Sequence, residues 1–355
     1  MYLAYHELKS AKARYSLVVL TLFLIAYLIY FLTGLAYGLA NNNRVGVDQW
    51  GAARVTMNKY ADHNLQSSTI TEQQFAQADL SKKVAPIGVL ASEVSQKGHD
   101  TDLDTYVFGI DFASFIKPKL ITGRQVRHNH EVVIDQRLGA GQLKLGSKVK
   151  LNGSDTYYKV VGLTKNNLFG TLPITFTTLA TYNQLRFGNT AVKNMSAVIY
   201  QQKKDVVKKA GLETMTPQTV IENIPGYTAQ NSTFSLMIGA LFVIVLFIVG
   251  IFMYILTIQN ISVYGVMRAQ GISNGTLIRS VLAQSLLLGL MGIGLGLIAN
   301  QLTIFVLPAK MPYTNNPLLV GGFTIGLLAV VVLGSVFSIK RILKIDPLDA
   351  IGGAA

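Results

Sequence analysis

The sequence contains no cysteine, a single tryptophan and only 14% charged residues. Without cysteine there is no disulfide framework and no thiolate metal site, so any exported part must hold together through its core alone. Charge that sparse, in a chain that is 50% hydrophobic, is too low for an ordinary soluble globular protein. No Gly-x-x-x-x-Gly-Lys-Ser/Thr run occurs, so the chain lacks a phosphate cradle and any ATP it depends on must be handled by another subunit. Nor does a recognisable motif place a Ser-His-Asp set or a carboxylate pair, which leaves an enzymatic function without residues. Net charge is +13, but no basic stripe interleaved with stacking aromatics points to nucleic acid. Lysines and arginines beside membrane spans, and a basic domain against an anionic cell surface, account for the excess.

What is present is a set of long uncharged runs. No charged residue occurs between Glu222 and Arg268, and the apolar stretch Phe234 to Leu256 exceeds the roughly 20 residues that cross a bilayer core. Helical spacing continues through Ile258, Ile261, Gly265 and Ala269 to Gly271, a residue able to end a helix in the left-handed conformation, and Ser273 can cap the next one. The pattern predicts one helical rod of about 57 Å from Thr233 to Gln270. The run Tyr15 to Leu39 is too long for a cleaved signal peptide, the rival reading offered by the small residues of Ala36–Ala40, and is taken as an uncleaved span.

The resulting expectation is a membrane protein of four transmembrane α-helices with a large extracellular α+β domain between helices 1 and 2. Its segments are a cytoplasmic lead (1–14), first span (15–40), extracellular domain (41–231), second span (232–258), cytoplasmic elbow (259–279), third span (280–308), short extracellular loop (309–316), fourth span (317–339) and cytoplasmic tail (340–355). Arg268 and Arg279 in the elbow, and Lys340, Arg341 and Lys344 after the last span, put the elbow and both termini in the cytoplasm of a bacterial cell membrane by the positive-inside rule. Gly34 with Gly38, and Gly289, Gly292 and Gly296, have the small-residue spacing that permits close helix approach.

The intervening domain reads as mixed helical and irregular in its first half, with Thr69-Ile-Thr-Glu72 as a possible capping box. Its second half has short β-like runs at Glu131–Asp135, Lys148–Leu151, Tyr157–Val161 and Pro173–Phe176, with Asn152-Gly153 as a hairpin-turn signal. His128-Asn-His130 as a metal pair is weighed against two solvated loop histidines beside Arg124 and Arg127, and the solvated state is favoured. Asp100, Asp102 and Asp104 alternate as in a calcium loop but lack its glycine and terminal glutamate.

One helix, a large external domain, then three helices, the elbow Tyr264-Gly-Val-Met-Arg-Ala-Gln-Gly-Ile272 and the closing Ile345-Asp-Pro-Leu-Asp-Ala-Ile351 together resemble the FtsX-like, MacB-like permeases of ABC transporters. Within that family, Gly34-Leu-Ala-Tyr-Gly-Leu39, Thr257-Ile-Gln259, Ile261-Ser262 and Asp346–Gly353 are most similar to a haem-exporting branch of Gram-positive bacteria. The resemblance implies a homodimer partnered by a separate ABC ATPase, haem as transported substrate with no intrinsic cofactor, and mechanical transmission through the elbow, with Tyr264, Arg268 and Gly271 as coupling residues. It also leaves open an FtsX-like force-transmitting regulator of a surface hydrolase or sensor, or export of a peptide, antibiotic or lipoprotein.

If haem enters sideways from lipid, its site lies at the outer ends of the first two spans. No cysteine exists and no histidine lies near an outer span end, so Tyr227 is the expected haem-iron ligand, with Met237 and Tyr37 beside it. Interfacial anchoring is the competing role for both tyrosines, and helix packing for the methionine. The closing segment Asp346–Ala350 is expected to pack near the elbow, because Leu348 and Ile351 would be wasted in a disordered tail.

Overall fold

The computed structural model describes residues 12–75, 83–96, 102–141, 143–206, 208–308 and 311–343. Two compact units emerge, a helical one (1–38 with 232–355) and a polar domain (39–231). The closing segment Asp346–Ala350, the tail from Lys344 onward and Asp100 lie outside the described residues.

The helical unit contains four helices long and apolar enough to cross a membrane, the fold class the composition dictates. They are α1 (Lys12–Asp48), α4 (Tyr227–Gln259), α6 (Asn274–Ile304) and α7 (Pro317–Leu343). A helix satisfies all its own backbone groups, which is why an apolar run of this length takes that form in lipid. On α1, Tyr15, Val18, Leu22, Ala26, Ile29 and Tyr30 are buried while Leu17, Leu20, Leu24 and Leu28 face outward, two stripes at helical spacing. Gly292 and Gly296 of α6 let it approach α1: a Cβ on Gly292 would stand 2.6 Å from Leu22 Cβ, and one on Gly296 would stand 2.9 Å from the Tyr27 amide nitrogen. Gly289 instead faces Val331 of α7.

Gly34 and Gly38 serve a different contact from the helix approach their spacing suggests. The loop before α7 lies across them, with Tyr313 ring atoms 2.3 Å from where a Gly34 Cβ would be and Pro312 O 2.2 Å from that of Gly38. Thr314 N donates to Gly34 O at 3.1 Å, fixing the loop on the helix.

The expected single rod to Gln270 is two helices. α4 ends at Gln259, Asn260 sits at φ −100°, ψ 12°, and a short helix α5 (Ile261–Ala269) follows. Gly271 is left-handed at φ 88°, and Ser273 Oγ accepts from Thr276 N to open α6. α1 itself continues beyond Ala40 to Asp48. Val47 packs into the polar domain's core there, and Arg44 and Asp48 pair one turn apart at 2.6 Å.

Within the polar domain the strands are β1 (Arg54–Asn58), β2 (Val84–Gln96), β3 (Asp102–Ile110), β4 (Leu120–Gly123), β5 (Glu131–Asp135), β6 (Lys148–Leu151), β7 (Tyr158–Thr164), β8 (Leu168–Phe169), β9 (Leu172–Thr178), β10 (Ala197–Tyr200) and β11 (Leu212–Met215). Two short helices accompany them, α2 (Leu179–Phe187) and α3 (Pro217–Glu222). Most strands follow the order β11-β1-β10-β2-β3-β9-β5-β7-β4, with β6 bridging β2 and β7. The first half of the domain thus supplies β1 to β4 alongside helical and irregular chain, where the sequence suggested only the latter two. Val84–Val89 is buried at every position and carries Pro86, so it shows neither alternation nor ordinary strand chemistry.

The capping box falls at Thr71 and Gln74 rather than Thr69 and Glu72. Thr71 N donates to Gln74 Oε1 at 3.0 Å and Gln74 N to Thr71 Oγ1 at 3.3 Å. Gly88 and Gly109 pair across β2 and β3, and Tyr182 of α2 lies on both, its ring 2.3 Å from the missing Cβ of Gly88 and its Cβ 2.3 Å from that of Gly109. Asn152 and Gly153 take φ 52° and 65°, forming the turn after β6.

Candidate functional site

The elbow is built by a break, a turn and an anchor. Asn260 separates α5 from α4, Gly271 reverses the chain, and Tyr264 is buried in the helical unit's core with Leu256 and Leu277. Tyr264 is thus an anchor rather than a contact surface. What the elbow presents outward is Ser262, Val263, Val266, Ala269, Gln270 and Gly271, with Arg268 half-buried beside them. Val263 and Val266 are three apart on one helix face, an exposed apolar pair on a segment rooted in the bundle.

Polar contacts inside the bundle are not visible as motifs. Gln284 Nε2 donates to Tyr15 OH at 2.6 Å, Tyr30 OH meets Thr324 Oγ1 at 2.7 Å, and Tyr313 OH donates to Asn300 Oδ1 at 2.9 Å. Phe23, Tyr27, Phe31 and Tyr313 stack in succession with centroids 5.9 to 6.4 Å apart. Each polar pair joins groups whose desolvation would otherwise be costly in an apolar bundle.

Tyr227, Met237 and Tyr37 occupy different settings. Tyr227 is 8% exposed and belongs to the polar domain's core cluster with Val47, Trp50 and Ile224. Its hydroxyl interacts with the Arg44 guanidinium, a partner that no motif points to. Met237 is exposed on α4 and Tyr37 is half-buried on α1. Along α4, Tyr227 and Met237 are separated by about 15 Å at helical rise, so the two cannot take opposite faces of one iron from a single chain.

Among the described residues no group of three or more His, Asp or Glu side chains is arranged to hold a metal ion. His128 and His130 are exposed, as solvated loop residues would be. The distinctive charge in this region is Glu131, whose carboxylate accepts from both Arg124 Nη atoms and from Arg127 N at 2.9 Å. The Arg124 hydrogen bonds, with further help from the backbone donors, pull its pKa from 4.5 down to about 2. Asp135, fully buried, is instead pushed up by burial, although Asn167 N and Arg137 N donate to it at 2.7 and 2.9 Å.

Four apolar helices interrupted by one α+β domain make this a multi-pass membrane protein, and residues 234–347 match the family described as FtsX-like permease C-terminal. That part of the chain is similar to an FtsX-like permease domain. Over 99% of both chains it is 28% identical to a Staphylococcus epidermidis protein and 26% identical to one of Staphylococcus haemolyticus, each named as the hemin transport system permease HrtB. It is also 23% identical, over 99% of both chains, to an uncharacterized ABC transporter permease of Mycobacterium tuberculosis. Among solved structures, the extracellular domain of the ABC-type transporter YknZ from Gram-positive bacteria aligns over its whole length and 46% of this chain, at TM-score 0.33 and 16% identity.

Proposed function

We propose that this chain is the membrane subunit of an ABC exporter that extrudes haem, paired with a second copy of itself and driven by a separate ATP-hydrolysing subunit. The observation that carries this is the end-to-end similarity to proteins named for hemin transport. In this reading both termini and the elbow are cytoplasmic, and the polar domain lies outside.

The ATPase grips the elbow through Val263, Val266 and Gln270, and Tyr264 passes the displacement into α4. The kink at Asn260 sets the angle between grip and shaft. Haem, an amphiphile, enters from the outer leaflet near the outer ends of α1 and α4. Tyr227 supplies a phenol oxygen for the iron once it leaves its core cluster, a phenolate being an established haem ligand type. The separation along α4 assigns any second ligand to the other copy of the chain.

Cells producing the chain with its ATPase should survive haem that kills cells lacking them, with less haem accumulated inside. Tyr227→Phe keeps the ring and removes the ligand oxygen, so it should lose the haem absorbance of the purified protein and raise haem sensitivity. Wild-type absorbance and survival in that variant would remove Tyr227 from the site. Unchanged haem tolerance in cells lacking the unaltered chain would remove haem as the substrate.

A further inference from the structure

More than half of the chain's net charge sits in one lobe of the polar domain. Between residues 117 and 165 there are ten lysines and arginines and three acidic residues. Glu131 and Asp135 are buried, and Asp155 is bridged to Lys150 at 3.1 Å. The lobe therefore presents almost only positive charge to its surroundings.

Part of this charge is gathered at the end of the lobe that rests on the extension of α1. Arg137 Nη1 and Nη2 donate to Asn42 Oδ1 at 3.3 Å and Asn166 Oδ1 at 3.0 Å. Gln49 Nε2 donates to Asn166 O at 2.8 Å, and Gly170 N to Asn43 O at 3.3 Å. Lys165 precedes Asn166 in this contact, and Leu120 pairs with Thr164, bringing Lys119 and Lys117 to the same end. Lys117, Lys119, Arg137 and Lys165 are all exposed, and none of them forms an ion pair among the described residues. Ile121, the next residue of β4 beyond Leu120, is an exposed aliphatic side chain beside them.

The rim touches the stretch of helix that leads out of the apolar run. The uncharged apolar run of α1 ends at Ala40 and gives way to Asn41-Asn-Asn-Arg44. At helical rise, Asn42 to Asp48 lies about 3 to 12 Å past the end of that run, the depth of headgroups and the first water layers. The one carboxylate of the extension, Asp48, is bridged to Arg44. We propose that Lys117, Lys119, Arg137 and Lys165 form a seat for anionic phospholipid headgroups of the leaflet in which α1 ends, with Ile121 dipping into the interface. An apolar side chain among lysines at this depth fits a lipid surface rather than a free polyanion. Neither haem nor an ATPase is required for this assignment.

The absence of cysteine makes the test direct. Thr122→Cys on β4 gives the full chain one site for an environment-sensitive fluorophore. The labelled protein is reconstituted in phosphatidylcholine vesicles carrying a small, equal fraction of spin-labelled phosphatidylglycerol or spin-labelled phosphatidylcholine. Phosphatidylglycerol should quench about fivefold more strongly, the enrichment that one effective lysine at an anionic surface produces. The excess should fade as salt shortens the Debye length. K117E/K119E/K165E should bring the two lipids to equality, as should the milder glutamine variants, with Trp50 emission unchanged to show that the domain is folded. K148E/K159E, at the opposite end of β7, should keep the preference.

Equal quenching by the two lipids in the otherwise unaltered chain would overturn the proposal. So would loss of the preference in K148E/K159E to the same degree, which would assign it to net charge rather than the rim. A response of the label to soluble polyphosphate without any lipid preference would also overturn it, in favour of a polymer ligand.

Discussion

The two units bury opposite things. In the polar domain Val55, Ile87, Phe108, Val133 and Ile174 are inside and lysines are outside, the arrangement that water enforces. The helical unit turns Leu20, Leu236, Phe247, Ile251, Leu295 and Leu333 outward while Thr257, Gln284, Ser285, Asn300 and Ser338 are buried. Lipid gives no reason to hide a leucine, so packing there rests on small residues such as Gly292 and Gly296 and on hydrogen bonds such as Gln284 to Tyr15. The difference teaches that exposure has no energetic meaning until the solvent on that side is named.

That contrast can be broken with one substitution placed in each unit. Phe247 is 58% exposed near the middle of α4, and Tyr60 is 81% exposed on the polar domain. Phe247→Lys should cost about 3 kcal/mol of insertion, the price of a lysine at a helix centre in the bilayer. Tyr60→Lys should change stability by less than about 0.5 kcal/mol. Membrane-fraction yield measures the first. The emission of Trp50, the single tryptophan and a member of the polar domain's core, measures the second. Equal effects at the two sites would mean that α4 does not face lipid at Phe247.

A smaller effect sharpens the contrast through pH. Glu131 is a buried carboxylate whose pKa is held at about 2 instead of 4.5. A lowered folded-state value means that its contribution is fully present above about 4.5 and is lost as pH falls from there toward 2. Because Arg124 is substantially solvent-exposed, screening by water reduces that contribution. Glu131→Gln should lower the denaturation midpoint reported by Trp50 at neutral pH and flatten its fall between those two pH values. An unchanged acid profile would show that Arg124 and Glu131 contribute nothing to the domain.

The spans could be read from sequence because the length of an uncharged run is a property of composition. So could Gly271 and Ser273, whose roles depend on their own backbone and the next turn. Residues that act through distant partners could not. Gly34 and Gly38 have the spacing of a helix contact, yet their neighbour is a loop that begins beyond Leu307. Arg44 and Tyr227 meet only because the polar domain closes between them. The strand from Val84 was hidden because burial on both faces removes the alternation that marks a half-exposed strand.

The elbow is where the contrast is least obvious, because Val263 and Val266 point outward from the helical unit as lipid-facing residues do. Their neighbours decide otherwise: Ser262 and Gln270 are exposed with them, Arg268 lies alongside, and Gly271 turns the chain back immediately after. A polar, charged turn of this kind belongs in water, and under the proposed function the exposed apolar pair is where the ATPase docks. Val263→Ser with Val266→Ser should therefore change stability by less than about 0.5 kcal/mol and leave membrane yield and Trp50 emission as they were. The same double variant should reduce capture of the proposed ATPase, and the ATP turnover it stimulates, by about tenfold, the loss expected when two apolar contacts contributing roughly 0.7 kcal/mol each are removed from an interface. Arg268→Glu should weaken capture in the same direction by reversing a charge beside the pair. If both variants bind and stimulate the ATPase normally, the valines face lipid after all and coupling has to be sought on another surface of the chain.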